Sequence, residues 1–139
     1  MIKTARRTSS RNTTVRQLTI QLTHQKFGDF CPTDTWAPQV NLYQLRDSIV
    51  VCVDLAGVDP EQMEVSIEPG RLTVSGYRAA PEPLLEEGEP LRIVTMEIDH
   101  GRYCRSIALP ANVDVRRADS EYKAGLLWVR LPVKRGRSG

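Results

Sequence analysis

From residue 36 onward the chain is written in short alternating runs. Met63, Val65 and Ile67 alternate with Glu64, Ser66 and Glu68, the period of a strand with one face in a core. Residues 48–56 carry the strongest apolar run, with Ile49, Val51, Val53 and Leu55 on one face, and end at the turn Gly57-Val58-Asp59-Pro60. Pro69-Gly70 separates residues 63–68 from a run over 72–77, where Leu72, Val74 and Gly76 alternate with Thr73, Ser75 and Tyr77. Further runs cover 40–43, 91–98, 102–109, 118–123 and 125–132, punctuated by Asp99-His100-Gly101 and Pro110. Seven or eight short strands with close turns and no convincing helical period predict an all-β chain, an antiparallel β-sandwich.

The start of the chain reads differently. Residues 1–16 are polar, basic and rich in Ser and Thr, so they are expected to be disordered or ordered only between subunits. Residues 15–27 fit two templates. Val15, Leu18 and Leu22 mark a helical face, while Leu18, Ile20 and Leu22 mark a strand; the reading leans to a helix. Residues 79–90 hold Glu82, Glu86, Glu87 and Glu89 with no base, and are expected to form a solvated, mobile loop.

Composition narrows the classes. A chain of 139 residues has room for one domain with a real core and some surplus. No apolar run reaches about 18 residues, so no membrane span is expected. The formal net charge of +2 is too near zero to mark a nucleic-acid binder. That total hides an asymmetry. Lys3, Arg6, Arg7, Arg11, Arg16 and Lys26 stand in residues 1–28 with no carboxylate, leaving 13 bases against 17 acids, a net of −4, in the rest. A basic, Ser/Thr-rich start is also the composition of an organelle transit peptide. It would equally suit a membrane surface or a nucleic acid, but the spread of the bases and the few aromatics weaken that reading.

Chemistry is scarce. Cys31, Cys52 and Cys104 make no disulfide framework, and with only His24 and His100 beside them they fit no zinc spacing. An immunoglobulin-type bridge between Cys52 and Cys104 fails on parity. Cys52 lies with Asp54 and Cys104 with Ser106 and Ala108, each away from its strand's apolar face. Both are therefore read as free thiols in a reducing compartment. No phosphate-binding loop, dinucleotide fingerprint, nucleophile elbow or zinc-protease motif occurs. Glu86, Glu87 and Glu89 sit where water reaches them, which does not raise a carboxylate pKa. No catalytic set, cofactor or metal is expected, and the chain is read as a non-enzyme.

Six short motifs carry a family resemblance: Pro38-Gln39-Val40-Asn41-Leu42-Tyr43, Val53-Asp54-Leu55-Ala56-Gly57-Val58, Gly70-Arg71-Leu72-Thr73-Val74-Ser75-Gly76-Tyr77-Arg78, Gly101-Arg102-Tyr103-Cys104-Arg105 running to Leu109-Pro110, Ala111-Asn112-Val113-Asp114, and Tyr122-Lys123-Ala124-Gly125 leading into Leu126-Leu127-Trp128-Val129-Arg130-Leu131-Pro132. In this order and spacing they resemble the α-crystallin domain of small heat-shock proteins, in its bacterial and plant branch. The resemblance implies an immunoglobulin-like sandwich over residues 36–132, a basic arm over 1–35 and a short tail over 133–139. It implies an ATP-independent holdase for partly unfolded client proteins, cytoplasmic, with no cofactor, and self-associated as a homodimer or a larger oligomer. A monomeric adaptor of the same fold is the alternative.

The resemblance also implies site residues. Leu91, Arg92, Ile93, Val94 and Met96 would form a strand exchanged between subunits, which caps an edge that otherwise invites aggregation. Arg105 shares a row with Tyr103, Ile107 and Leu109, so its charge needs a buried partner. At the dimer interface that partner would be an acid or carbonyl of the partner's loop, such as Glu87, Glu89 or Glu97 of the partner subunit. Met63, Val65, Ile67, Ser120 and Tyr122 would line a groove that takes a C-terminal I-x-I/V tail in the family. This sequence has no such motif after Pro132, which makes the arm the expected source of assembly beyond a dimer. Leu18, Leu22, Phe27 and Trp128 are the candidates for client or subunit contact.

Overall fold

A computed structural model describes the backbone of residues 2–7 and 15–23 and, with side chains, residues 31–110 and 112–134. The strands are β1 (Ile2–Arg7), β2 (Val15–Thr23), β3 (Val40–Gln44), β4 (Ser48–Asp54), β5 (Met63–Glu68), β6 (Arg71–Arg78), β7 (Gly101–Ala108), β8 (Asp119–Lys123) and β9 (Leu126–Pro132). Among the described residues the only helical elements are two 3-10 turns, Pro60–Gln62 and Val115–Arg117. Each is capped by an aspartate two residues ahead of the amide it accepts, Asp59 from Glu61 and Asp114 from Arg116.

The sandwich body has two antiparallel sheets, β3-β4-β9-β8 and β5-β6-β7. Register puts the apolar faces in line. Ile49 pairs with Leu131, Val51 with Val129 and Val53 with Leu127; in the other sheet Val65 pairs with Val74 and Ile67 with Leu72. All ten side chains are buried, together with Leu55, Met63, Tyr103 and Ile107. Each full burial of such a side chain is worth about 1.5–3 kcal/mol, so this inner face dominates stability. The alternation read over 63–68 is the observed strand, residue for residue.

Three readings of the sequence are corrected. Residues 15–27 do not open as a helix: β2 is a strand that pairs with β1 along its length, Leu18 opposite Arg7 and Leu22 opposite Lys3. Residues 2–7, expected to be disordered or ordered only between subunits, are the other strand of that hairpin within one chain. The two strands part at their outer edges: β1 pairs with β5 and β2 with β8, so a hydrogen-bonded order runs unbroken from β3 to β7. Pairing partners distant in sequence, which no local period encodes, decide the matter. The third correction is covalent. Cys104 is no free thiol but is bonded to Cys31, 73 residues earlier. Parity placed Cys104 on the outer face correctly, but the segment holding Cys31 and Trp36 runs beside the free edge of that strand. Trp36 bridges Tyr103, its amide donates to the Arg102 carbonyl and its own carbonyl accepts from the Cys104 amide. In the chain-entropy account, closing a loop of this length removes about 4 kcal/mol of freedom from the unfolded chain. Cys52 stays free, buried opposite Trp128, and burial pushes its thiol pKa up, with the Asp54 charge adding to the shift.

Gly76 is set by packing. It faces Tyr103 across the β6–β7 register, and a Cβ there would collide with the Gln62 carbonyl oxygen and the Tyr103 hydroxyl. These two groups bond each other at 3.1 Å, an arrangement that exists only because the glycine leaves room. Gly70 has φ +87° but open space around it. Gly76→Ala should therefore cost about 3 kcal/mol and Gly70→Ala about 1 kcal/mol in urea unfolding. Equal costs would contradict the close approach at Gly76.

The Tyr103 phenol sets an alkaline limit. Burial pushes its pKa well above the usual tyrosine value, the nearby Tyr122 adds to the rise, and the Arg78 guanidinium opposes it. The folded chain keeps a proton that the unfolded chain releases above pH of about 10, so stability falls as pH rises past that point. Tyr103→Phe should lower stability by about 1 kcal/mol at neutral pH through the lost bond to Gln62. It should also flatten the fall in thermal midpoint above pH of about 10. An unchanged alkaline slope would show that other groups set it.

Candidate functional site

Among the described residues no group of three or more His, Cys, Asp or Glu side chains could hold a metal, and no helix is long and apolar enough to cross a membrane. The conspicuous features are sheet edges and the segments that cover them or fail to.

The first feature is the excursion from residue 79 to 100. Its base is closed by the pairing of Arg78 with Gly101, by a bond of 2.9 Å from Arg78 Nε to the Asp99 carbonyl, and by the Arg78 guanidinium 4.2 Å above the Trp36 ring. Beyond that base the chain exposes Leu84, Leu91, Ile93, Val94, Met96 and Ile98, Val94 at 85%. Residues 91–98, expected as a strand, are not one here. A strand exists only with a neighbour to accept its ladder, and no described strand lies alongside this run. Leu91, Arg92, Ile93, Val94 and Met96 therefore lie in one exposed run that pairs with no described strand.

The second feature is complementary to the first. β3 ends the sheet, paired only to β4, with Leu42 and Tyr43 exposed on it and Leu45 just beyond. Tyr43 stacks on Trp128 at 6.4 Å, which half-covers that tryptophan on the outer face. Arg105 lies on the core-facing row opposite Val74, half-buried, with Nη1 donating to the Pro38 carbonyl at 3.4 Å, two residues before β3 begins. Within one chain the partner of Arg105 is thus a carbonyl of the segment leading into the open edge. Arg78 was missed from the sequence. It stands at a strand end among several other arginines, and nothing in its neighbours distinguishes it.

The third feature is the expected groove. Met63, Val65 and Ile67 on β5 and Ser120 on β8 are buried, and Tyr122, half-buried, donates to the Leu55 carbonyl at 2.7 Å. The backbone edges beside them are taken by the chain's own hairpin. Ala5 pairs with Val65, Lys3 with Ile67 and Arg16 with Tyr122. The Ser120 hydroxyl is buried with no hydrogen-bond partner among the described residues. Leu18 and Leu22 lie on β2, and Phe27 falls outside the described residues.

The comparisons with known proteins agree with this architecture. The model of the Hsp20/alpha crystallin family matches residues 42–138. The chain is 34% identical over 87 residues to the 18 kDa heat shock protein of Streptomyces albus G, covering 63% of this chain and 58% of that one. It is 32% identical over 96 residues to heat shock protein 16 of Schizosaccharomyces pombe, covering 69% and 66%. The chain thus spans somewhat under two thirds of the length of these relatives. Among solved structures, the hspA protein of Xanthomonas axonopodis superposes with a TM-score of 0.60 at 30% identity, over 71% of this chain and 95% of that one. Heat shock protein 16.0 of Schizosaccharomyces pombe superposes at 0.62 and 28% identity, over 74% and 93%.

Two substitutions check the geometry. Arg78→Ala should cost about 1–2 kcal/mol through the lost carbonyl bonds and the contact with Trp36, and should speed amide exchange at the loop base. Ser120→Ala removes a buried hydroxyl that gains nothing, so it should be neutral or stabilising by about 1 kcal/mol in urea unfolding. A clear destabilisation would show that the hydroxyl is partnered.

Proposed function

The chain belongs to the Hsp20/alpha crystallin family, and from that premise we propose that it is an ATP-independent chaperone that holds partly unfolded proteins before they aggregate. The observation that carries this reading is the row Leu91, Ile93, Val94 and Met96, exposed and unpaired in a single chain that also leaves β3 with an open edge. A strand without an edge and an edge without a strand fit each other in a second copy. Two such exchanges, related by a twofold axis, close a dimer and leave no strand over. Burying each apolar side chain of the row is worth about 1.5–3 kcal/mol, enough for several to hold a dimer against the cost of association. Arg105, which holds the segment entering β3, and Arg92, within the exchanged run, belong to that interface in this reading.

Client capture needs no chemical step. The drive is apolar surface, released when subunit contacts loosen on warming and covered again by an unfolding protein. The basic arm over 1–35, with Leu18, Leu22 and Phe27, and the stacked pair Tyr43 and Trp128 are the contact surfaces we assign to clients or further subunits. The proposed compartment is the cytoplasm.

Mixed with a heat-labile client at equimolar subunits and without ATP, the protein should suppress the rise in light scattering. No suppression would contradict the chaperone reading. Ile93→Asp should lower the molar mass towards a single chain of 15.7 kDa, and Arg105→Ala should shift the dimer midpoint or the oligomer size. A wild-type mass of 15.7 kDa at working concentrations would instead fit a monomeric adaptor of the same fold.

A further inference from the structure

We propose that Cys31 and Cys104 are a reversible thiol–disulfide site that fastens the root of the N-terminal arm to the outer edge of β7 and so sets how firmly the hairpin β1–β2 sits on its own sheet edges. The pair joins the arm to the domain at their boundary. Cys31 lies at the end of the arm, half-buried, and Cys104 lies on β7, buried, their Cα atoms 5.5 Å apart. β7 ends its sheet, and the segment 31–38 covers its free side.

Without the disulfide, the firm attachment of this segment starts at Trp36. There the backbone bonds to Arg102 and Cys104, the indole bond to the Gly101 carbonyl at 3.2 Å, and the ring contact with Tyr103 at 5.6 Å all remain. Upstream of Trp36 the described ties are a local turn from Pro32 to Thr35 and an ion pair between Asp34 and Arg102 that is more than half exposed on both sides. An ion pair so exposed holds little. Opening the disulfide therefore lengthens the tether between the end of β2 at Thr23 and its anchor from about eight residues to about thirteen. Effective concentration falls roughly as the −3/2 power of tether length, so the hairpin's local concentration at β5 and β8 drops about twofold. A longer tether also gives it reach to the edges of another copy.

The chemistry balances with a low-molecular-weight thiol as the co-reactant. Its thiolate attacks the more accessible Cys31 sulfur, the bond to Cys104 breaks, and the Cys104 thiolate takes a proton. A second small thiolate attacks the small-molecule sulfur of that mixed disulfide, the Cys31 thiolate leaves and takes a proton, and the two small molecules depart joined as their disulfide. The reverse sequence, with a small-molecule disulfide as oxidant, closes the site. Disulfides persist where the surroundings are oxidising, so the site is open in a reducing compartment and closes under oxidative stress.

The full chain tests this directly. Oxidised and reduced samples, made with oxidised and reduced glutathione, are alkylated and weighed, and amide exchange is followed over β1, β2, β5 and β8. The oxidised form should carry one alkylable thiol on unfolding, Cys52, and the reduced form three. Exchange in β1 and β2 should be about twofold or more faster in the reduced form. Cys31→Ser should show the exchange of the reduced form under both conditions, with two alkylable thiols, while Cys52→Ser should still respond. Failure of Cys31 and Cys104 to pair with each other under oxidised glutathione would overturn the proposal. So would pairing that leaves exchange in β1, β2, β5 and β8 unchanged. Neither readout involves a client, so both stand whether or not the chain protects one.

Discussion

A sheet edge left open is the constraint on which this molecule turns. Each edge strand presents a row of unsatisfied amides and carbonyls, and a sandwich of two sheets has four such edges. Here they are β3 and β8 in one sheet and β5 and β7 in the other. The chain covers three of them itself. The hairpin β1–β2 takes β5 and β8, and the segment around Trp36 takes β7, with a disulfide fastening it. Among the described residues β3 is left, flanked by exposed Leu42, Tyr43 and Leu45, while the run from Leu91 to Ile98 is exposed and pairs with no described strand. The proposed self-association rests on that imbalance, and the proposed chaperone role rests on surfaces that would pass from a subunit to an unfolding client.

The supports around these edges are polar contacts placed on an apolar body. The inner face packs without help: Val51 on Val129 and Val65 on Val74 need only correct register. Arg78 and Arg105 act at the rims. Arg78 closes the base of the excursion through the Asp99 carbonyl and lies over Trp36, which in turn covers β7. Arg105 reaches the Pro38 carbonyl just ahead of the open strand β3. Two guanidiniums thus tie the excursion and the free edge to the same sheet, and a shift in either would be felt at the proposed interface.

Most of the body was legible in the sequence because a half-buried strand writes its own period. Residues 63–68 are the observed strand for that reason, and the run over 48–56 is a strand as far as Asp54. What was not legible depended on partners far along the chain. Residues 15–23 satisfy a helical spacing and a strand spacing at once, and pairing with β1 and β8 chooses between them. Residues 91–98 have a strand's composition, yet within one chain they pair with no described strand. Cys104 sits on the outer face, as parity requires, yet the cover that buries it and the cysteine that bonds it both come from a segment 73 residues away. Met63, Val65 and Ile67 were expected as groove residues from a resemblance, which could not show that the chain's own hairpin would take the backbone edge beside them.

Amide exchange measured across a range of protein concentrations tests the central claim most directly, because it reads both halves of the proposed exchange at once. Amides of residues 40–44 and 91–98 should gain protection together as concentration rises through the dimer midpoint, while the core strands β4 and β9 stay equally slow throughout. Protection that appears in only one of the two segments, or that is independent of concentration in both, would contradict the account.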